Sequence, residues 1–269
     1  MATVLLPLLF CGRAAPAVPA MPSAPAASVP ARPLRVCVLD EDYAPFSFPA
    51  REGPGQFLLR RAIERQGGAL EITHVPWRRC IEGVRAGTYD AVLGAAANAS
   101  FFSFLSFPER DGRADPRRSL GSLEFRVMQR RGEAPRWDGQ RFSAVEGPVL
   151  YGAGIVIVRD ALARQGVDAS DNAKTSAQLM RMLVAHRADA IVVRQHEAQK
   201  LMREAEFQGR LDLLPQPLVA FDGYLAVRRE WKEAYPPYVE AVWDEIGRLR
   251  AAPDWPATAR VLLNDATTP

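Results

Sequence analysis

From Leu34 onward, apolar positions fall into short dense runs that alternate with stretches of helical spacing. LRVCVL (34–39), LEITHV (70–75) and the segment Asp90 to Gly94 read as strands, the third, with Ala91, Val92 and Leu93, as a buried one. Between them, Gln56 to Gln66 reads as a helix closed by Gly67-Gly68, and Arg78 to Ala86 as a second, with apolar Ile81, Val84 and Ala86. This strand-helix order implies a parallel sheet with right-handed crossovers. Ser122 to Arg130 is an extended run that leaves this unit. The theme then repeats: a strand over Val145 to Leu150, glycines at 152 and 154, helices over Ile155 to Gln165 and Ser176 to His186, and a buried strand over Asp189 to Val193. Pro217 to Val227 returns, and the helix Pro237 to Arg250 places Val239, Val242, Trp243, Ile246 and Leu249 on one face, where they read as core.

The pattern predicts an α/β fold of two lobes, each a mostly parallel sheet flanked by helices, joined by two hinge crossings. Residues 34–124 plus 222–269 form the first lobe and 125–221 the second, and the cleft between them is the expected ligand site.

Charge changes little in this picture. With 34 Lys and Arg against 31 Asp and Glu, and no basic run, nucleic acid is not an expected partner. The N-terminus is different: an apolar stretch, Val4 to Cys11, precedes an Ala/Pro-rich tract ending near Pro33. Residues 1–33 therefore read as a secretory signal and linker, with Val18-Pro19-Ala20 as the cleavage site, although no Lys or Arg precedes the apolar stretch. Phe10 stands where lipidation of Cys11 needs a small residue. The expectation is a periplasmic protein, a monomer with no membrane span once the signal is removed. Removal would leave Cys37 and Cys80, and two readings stay open: a disulfide in an oxidising compartment, or two buried thiols.

Enzyme signatures are sparse. His74, His186 and His196 match no metal spacing, and there is neither a Gly-x-Ser-x-Gly elbow nor a phosphate loop. No metal, cofactor or catalytic residue is expected. Gly152-x-Gly154 reads as a tight turn, or as glycines that let a helix N-terminus approach an anion.

The segments LRVCVLDEDYAPFSF, VPWRRCIEGVRAG and GTYDAVLGAAANAS (34–48, 75–87, 87–100) resemble the family of extracytoplasmic solute-binding proteins that serve polar amino acid importers, solute-binding protein family 3. The resemblance runs from about Leu34 to the C-terminus and implies a type II periplasmic-binding-protein fold and, as a partner, an ABC permease. It also implies that aromatic residues after the first strand wall the ligand pocket, the position held by Phe46 with Tyr43 beside it. Asp42 sits in the same loop, as a ligand neighbour or as the cap of a solvated turn. Trp77 either lines the cleft or covers the core.

The chain departs from the family where an amino acid would be gripped. Aligned on Phe104 and Phe107-Pro108, Asn98 falls on the family's Thr and Phe101 on the Arg that pairs with an α-carboxylate. A phenyl ring cannot replace a guanidinium fork. Arg194 stands where an ammonium-binding Asp is common, and Gly154-Ile155-Val156 replaces a hydroxyl-bearing turn. The expected ligand is thus a small organic molecule bearing a carboxylate, not a standard amino acid, bound by Asp42, Tyr43, Phe46, Trp77, Asn98, Phe101, Gly154 and Arg194. Two alternatives remain: an enzyme on the same fold, like the cyclohexadienyl dehydratases, or a partner-binding or sensory module whose pocket has decayed and whose Arg194 faces solvent.

Overall fold

The computed structural model describes residues 29–134 and 136–264. The expected signal, its cleavage site and Cys11 lie outside them.

The first lobe begins with β1 (Leu34–Leu39), α1 (Pro54–Arg65), β2 (Leu70–Val75), α2 (Trp77–Arg85) and β3 (Ala91–Ala96). β1 lies parallel between β2 and β3, with Leu34 opposite Leu70 and Val36 opposite Ala91. Five of the six β1 residues are buried because helices cover both faces of this sheet. α1 opens with Pro54 at its first turn, and the Gln56 side chain accepts hydrogen bonds from the Gly53 and Phe48 amides (2.7 and 3.1 Å). Leu58, Leu59, Ala62 and Ile63 then face the core.

Short strands β4 (Leu105–Ser106), β5 (Glu109–Arg110) and β6 (Arg113–Ala114) lead to β7 (Gly121–Arg130), the first crossing. The second lobe follows: β8 (Val149–Gly152), α3 (Val156–Arg164), β9 (Ala169–Ala173), α4 (Ser176–Val184), β10 (Ile191–Arg194) and α5 (Gln195–Leu201). Here β8 lies parallel between β10 and β9. The return crossing, β11 (Leu211–Arg228), is longer than the sequence pattern suggests and pairs antiparallel with β7 along its length and with β3 at its end. The strand order β2-β1-β3-β11-β7-β10-β8-β9 makes one curled sheet in which the two crossings are the join between the lobes. The β7–β11 register shifts twice around Pro217, where a residue without an amide hydrogen cannot continue the ladder.

α6 (Arg229–Ala234), α7 (Pro236–Arg250) and α8 (Trp255–Asn264) return to the first lobe. The α7 stripe is core as expected: Trp243 is fully buried and its indole donates to the Leu225 carbonyl at 2.9 Å. α5, α6, α8 and β9 are absent from the sequence reading. β9 is ASDNA and α5 is QHEAQKL, neither with the apolar periodicity that marks an element.

Cys37 and Cys80 form a disulfide with Cα atoms 5.5 Å apart, both residues fully buried, which resolves the two readings of this pair in favour of the bridge. At the base of the first lobe, the Asp90 carboxylate accepts hydrogen bonds from the Arg32 guanidinium (2.5 and 2.8 Å) and from the Arg35 amide (3.1 Å) and guanidinium. Arg32 also lies 4.2 Å above the Trp231 ring, so the segment expected to be free linker is tied to the lobe at this residue.

Candidate interlobe ligand site

Parallel strands place the loops after their carboxyl ends on one side of a sheet, and both lobes turn that side toward the other. The loop after β1 brings Glu41 and Asp42, the turn after β8 brings Gly152 and Ala153, and the start of α4 brings Lys174, Thr175 and Ser176. Arg194 ends β10. These groups line a cavity of about 310 Å³ floored by Phe125 of β7. A second cavity, about 250 Å³, continues past Arg194 to Ala44 and His196.

Arg194 is the pivot of the site, with 22% of its side chain exposed. One terminal nitrogen donates to Glu197, one turn along α5, at 2.8 Å, and the other stands 3.6 Å from Glu41 across the cleft. Its Nε is buried with no hydrogen-bond partner. Burial works against the guanidinium's charge, but Glu197 and then Glu41 outweigh it and raise its pKa. The other Glu197 oxygen accepts from the Ser176 hydroxyl. Arg194 therefore lies mostly shielded, against the alternative in which it faces solvent.

Tyr43 lies beneath Arg194, whose guanidinium carbon is 6.0 Å from the ring centroid. Burial pushes the phenol up to about 12, with Arg194 opposing and Glu41 adding, so it stays protonated and donates to the Gly94 carbonyl at 3.2 Å. Its ring continues into a chain of half-buried aromatics: Trp77 at 6.5 Å, then Phe101 a further 6.2 Å on, in an edge-to-face contact. The structure thus brings Asp42, Tyr43 and Arg194 together at the cleft and joins Trp77 and Phe101 to Tyr43 on the first lobe.

Three other expected residues sit differently. Phe46 is fully buried in the core rather than walling the pocket. It fills the space left by two glycines, since a Cβ at Gly223 or Gly94 would lie 2.3 or 2.8 Å from its ring. Asn98 is exposed and its side-chain oxygen accepts from the Ser100 amide at 3.1 Å, which uses it to close a turn. Gly154 is exposed at φ +74 with open space around it, and its neighbours Gly152, Ala153 and Ile155 line the cavity instead.

Of the residues that line this cavity, sequence reasoning placed Glu41 near the cleft, within the acidic cluster after β1 and as the candidate acid of the enzyme alternative, but did not select Lys174, Thr175, Ser176 or Glu197. Thr175 had a legible signal: it caps α4 by accepting from the Gln178 amide at 3.1 Å, and a cap residue before an apolar helical stretch places a helix start. Glu197, three residues after Arg194, had the spacing of a helical ion pair, but α5 itself was not read as a helix. Among the described residues no group of three or more His, Cys, Asp or Glu is placed to hold a metal, and no helix is long and apolar enough to cross a membrane.

This architecture, two α/β lobes on a shared pair of crossing strands with a charged cleft between strand ends, is of the type II periplasmic-binding-protein kind. Solved structures agree. A histidine kinase sensor domain similar to periplasmic binding proteins matches with a TM-score of 0.61 and 20% identity, covering 87% of this chain and 96% of that one. The periplasmic VFT2 domain of Bordetella pertussis BvgS matches with a TM-score of 0.58 and 21% identity, over 84% of this chain and 91% of that one. The amino acid ABC transporter substrate-binding protein AbpA from Streptococcus pneumoniae, bound to L-arginine, matches with a TM-score of 0.60 and 14% identity, over 86% and 94%. At these identities the likeness establishes the fold. No protein-family model and no curated protein matches the chain.

Proposed function

We propose that this chain is an exported binding protein that closes its two lobes on a small organic molecule bearing a carboxylate, for delivery to an ABC permease. The lobes divide at 124/125 and 221/222, close to the register shifts of the crossing strands. The observation that carries the reading is Arg194: shielded, aimed between lobes, and holding one buried guanidinium nitrogen without a partner. A carboxylate reaching that nitrogen and its neighbour would complete a paired set of charge-assisted hydrogen bonds. Phe101 at the family arginine position and the hydroxyl-free 154–156 turn speak against a standard α-amino acid. Export is supported by the Cys37–Cys80 bridge, since such bridges persist in oxidising compartments.

Closure is the mechanism: groups from both lobes meet the ligand, and no covalent chemistry is involved. Calorimetry against a panel of carboxylic acids and amino acids tests it. The expected result is a monoanionic acid bound more tightly than any common amino acid, with Arg194→Ala weakening it tenfold or more, as loss of a hydrogen bond worth about 1.5–3 kcal/mol requires. Micromolar binding of an ordinary amino acid, unaffected by Arg194→Ala, would refute this pocket.

A second reading, ligand binding as a sensory signal, is favoured by the histidine kinase sensor domain among the similar structures. Uptake of the identified ligand distinguishes the two: import requires that it fall when the protein is deleted, and sensing does not.

A further inference from the structure

α5 and the turn after it carry basic groups that make no contact with Arg194 or its acids, although His196 and Lys200 also border the cavity beside Arg194. His196, Lys200 and Arg203 are spaced four and three apart, so they share one face of the helix and the turn that follows it. Facing them from the first lobe is Arg51. Its guanidinium is fixed in place, donating to the Leu262 and Leu263 carbonyls at the end of α8 and stacked 3.7 Å from the Phe48 ring centroid. The four groups surround a single cavity of about 100 Å³ between the lobes, and Asp42 is the one acid among the described residues that line it.

The positive charge here exceeds the single negative charge of Asp42. Lys200 and Arg203 are exposed and, among the described residues, neither is held in an ion pair. Glu197, the nearest acid on α5, is already engaged by Arg194 and Ser176. His196 reports the same potential: burial lowers its pKa, Arg51 and Lys200 lower it further, and Glu197 and Asp42 pull weakly the other way. The volume is about three times the share of liquid that one water occupies, enough for one small tetrahedral oxyanion.

We propose that this hollow is a second binding site, for a dianionic oxyanion of the phosphate or sulfate type, held by Arg51 of one lobe and by His196, Lys200 and Arg203 of the other. Because its cations come from both lobes, the bound anion ties them together and shifts the protein toward the lobe arrangement that brings them close. The anion is either free or the phosphate group of a larger monoester, since one side of the hollow is open along the exposed face of α5.

Titration calorimetry at fixed ionic strength tests the site with sulfate, inorganic phosphate and phenyl phosphate. The expected result is saturable one-to-one binding of sulfate and phosphate by the wild type, weakened at least tenfold in Lys200→Ala/Arg203→Ala. Both side chains are exposed, so the variant is expected to fold. A charge-matched control on distant exposed arginines, Arg78→Ala/Arg187→Ala, should bind as wild type does. Tighter binding of phenyl phosphate than of phosphate identifies a monoester as the source, and the reverse identifies the free anion. Sulfate stays dianionic over the titration of histidine, so the His196 midpoint, followed by NMR, should rise on its addition. The site is overturned by no saturable heat in the wild type, by equal binding in the Lys200/Arg203 variant, or by equal loss in the control. A His196 midpoint that sulfate leaves unmoved overturns the place of His196 in it.

Discussion

Asp90 shows how much one side chain carries. Burial alone would raise its pKa, but the hydrogen bonds from Arg32 and Arg35 overcome this and hold it at about 2. Its unfolded value lies near 4, so the shift is worth about 2.5 kcal/mol. A carboxylate with a depressed folded pKa stabilises fully above the unfolded value, and that stability is lost as pH falls through 4 toward 2. Denaturant titration of Asp90→Asn should therefore show a deficit of about 2.5 kcal/mol at pH 7 that narrows to near zero by pH 2; a deficit independent of pH would assign it to packing instead. At this scale the sequence was legible where chemistry is local. Arg194 was visible as a cation replacing an acid, and Tyr43 as a ring beside the cleft. Phe46 was not, because its placement depends on Gly94 and Gly223, 48 and 177 residues further along the chain. Both glycines leave room for its ring, and no local pattern around APFSF reports them.

Among elements, strongly periodic ones were legible: β1, α1, α2, β3, α4 and α7 lie within a few residues of where the pattern put them. α5 and β9 were missed because tertiary position, not apolar spacing, holds them in place. The Cys37–Cys80 bridge joins two of the legible elements, β1 and α2, across a sequence separation of 43 residues. Whether the thiols met was a matter of the α2 approach to the sheet, which spacing does not encode. Closing a loop of that length restricts the unfolded chain by about 4 kcal/mol, so Cys37→Ala/Cys80→Ala should lower stability by roughly 2–4 kcal/mol in urea denaturation. Stability unchanged beyond experimental error would mean that the β1–α2 packing carries this junction alone.

For the whole molecule, two lobes and two crossings followed from the repeated strand-helix order, and that much was legible before any coordinates. The mixed charge of the cleft was not. Glu41, Lys174 and Glu197 belong to separate segments that only the curl of the shared sheet brings around Arg194. The hollow between α5 and Arg51 was equally hidden, because α8, whose end it abuts, gave no clear signal of its own.

The ion pair between Glu41 and Arg194 has one partner on each lobe. It gives the cleft a carboxylate of the protein's own, standing beside Arg194 where the proposed ligand's carboxylate would bind. For the proposed carboxylate ligand, capture is then an exchange of one carboxylate for another, and the observed affinity is the intrinsic one less the strength of the internal contact. At 3.6 Å, with Glu41 largely exposed, that contact is worth at most about 1 kcal/mol and weakens with salt. Glu41→Gln should accordingly tighten a carboxylate ligand by up to about fivefold at low ionic strength, with the gain fading as salt is raised. Calorimetry of the variant across a salt series checks this, and weaker binding at every salt concentration would instead make Glu41 a ligand contact. On the proposed function, the same contact would make the protein self-restrained, since a carboxylate solute would have to unseat Glu41 from Arg194.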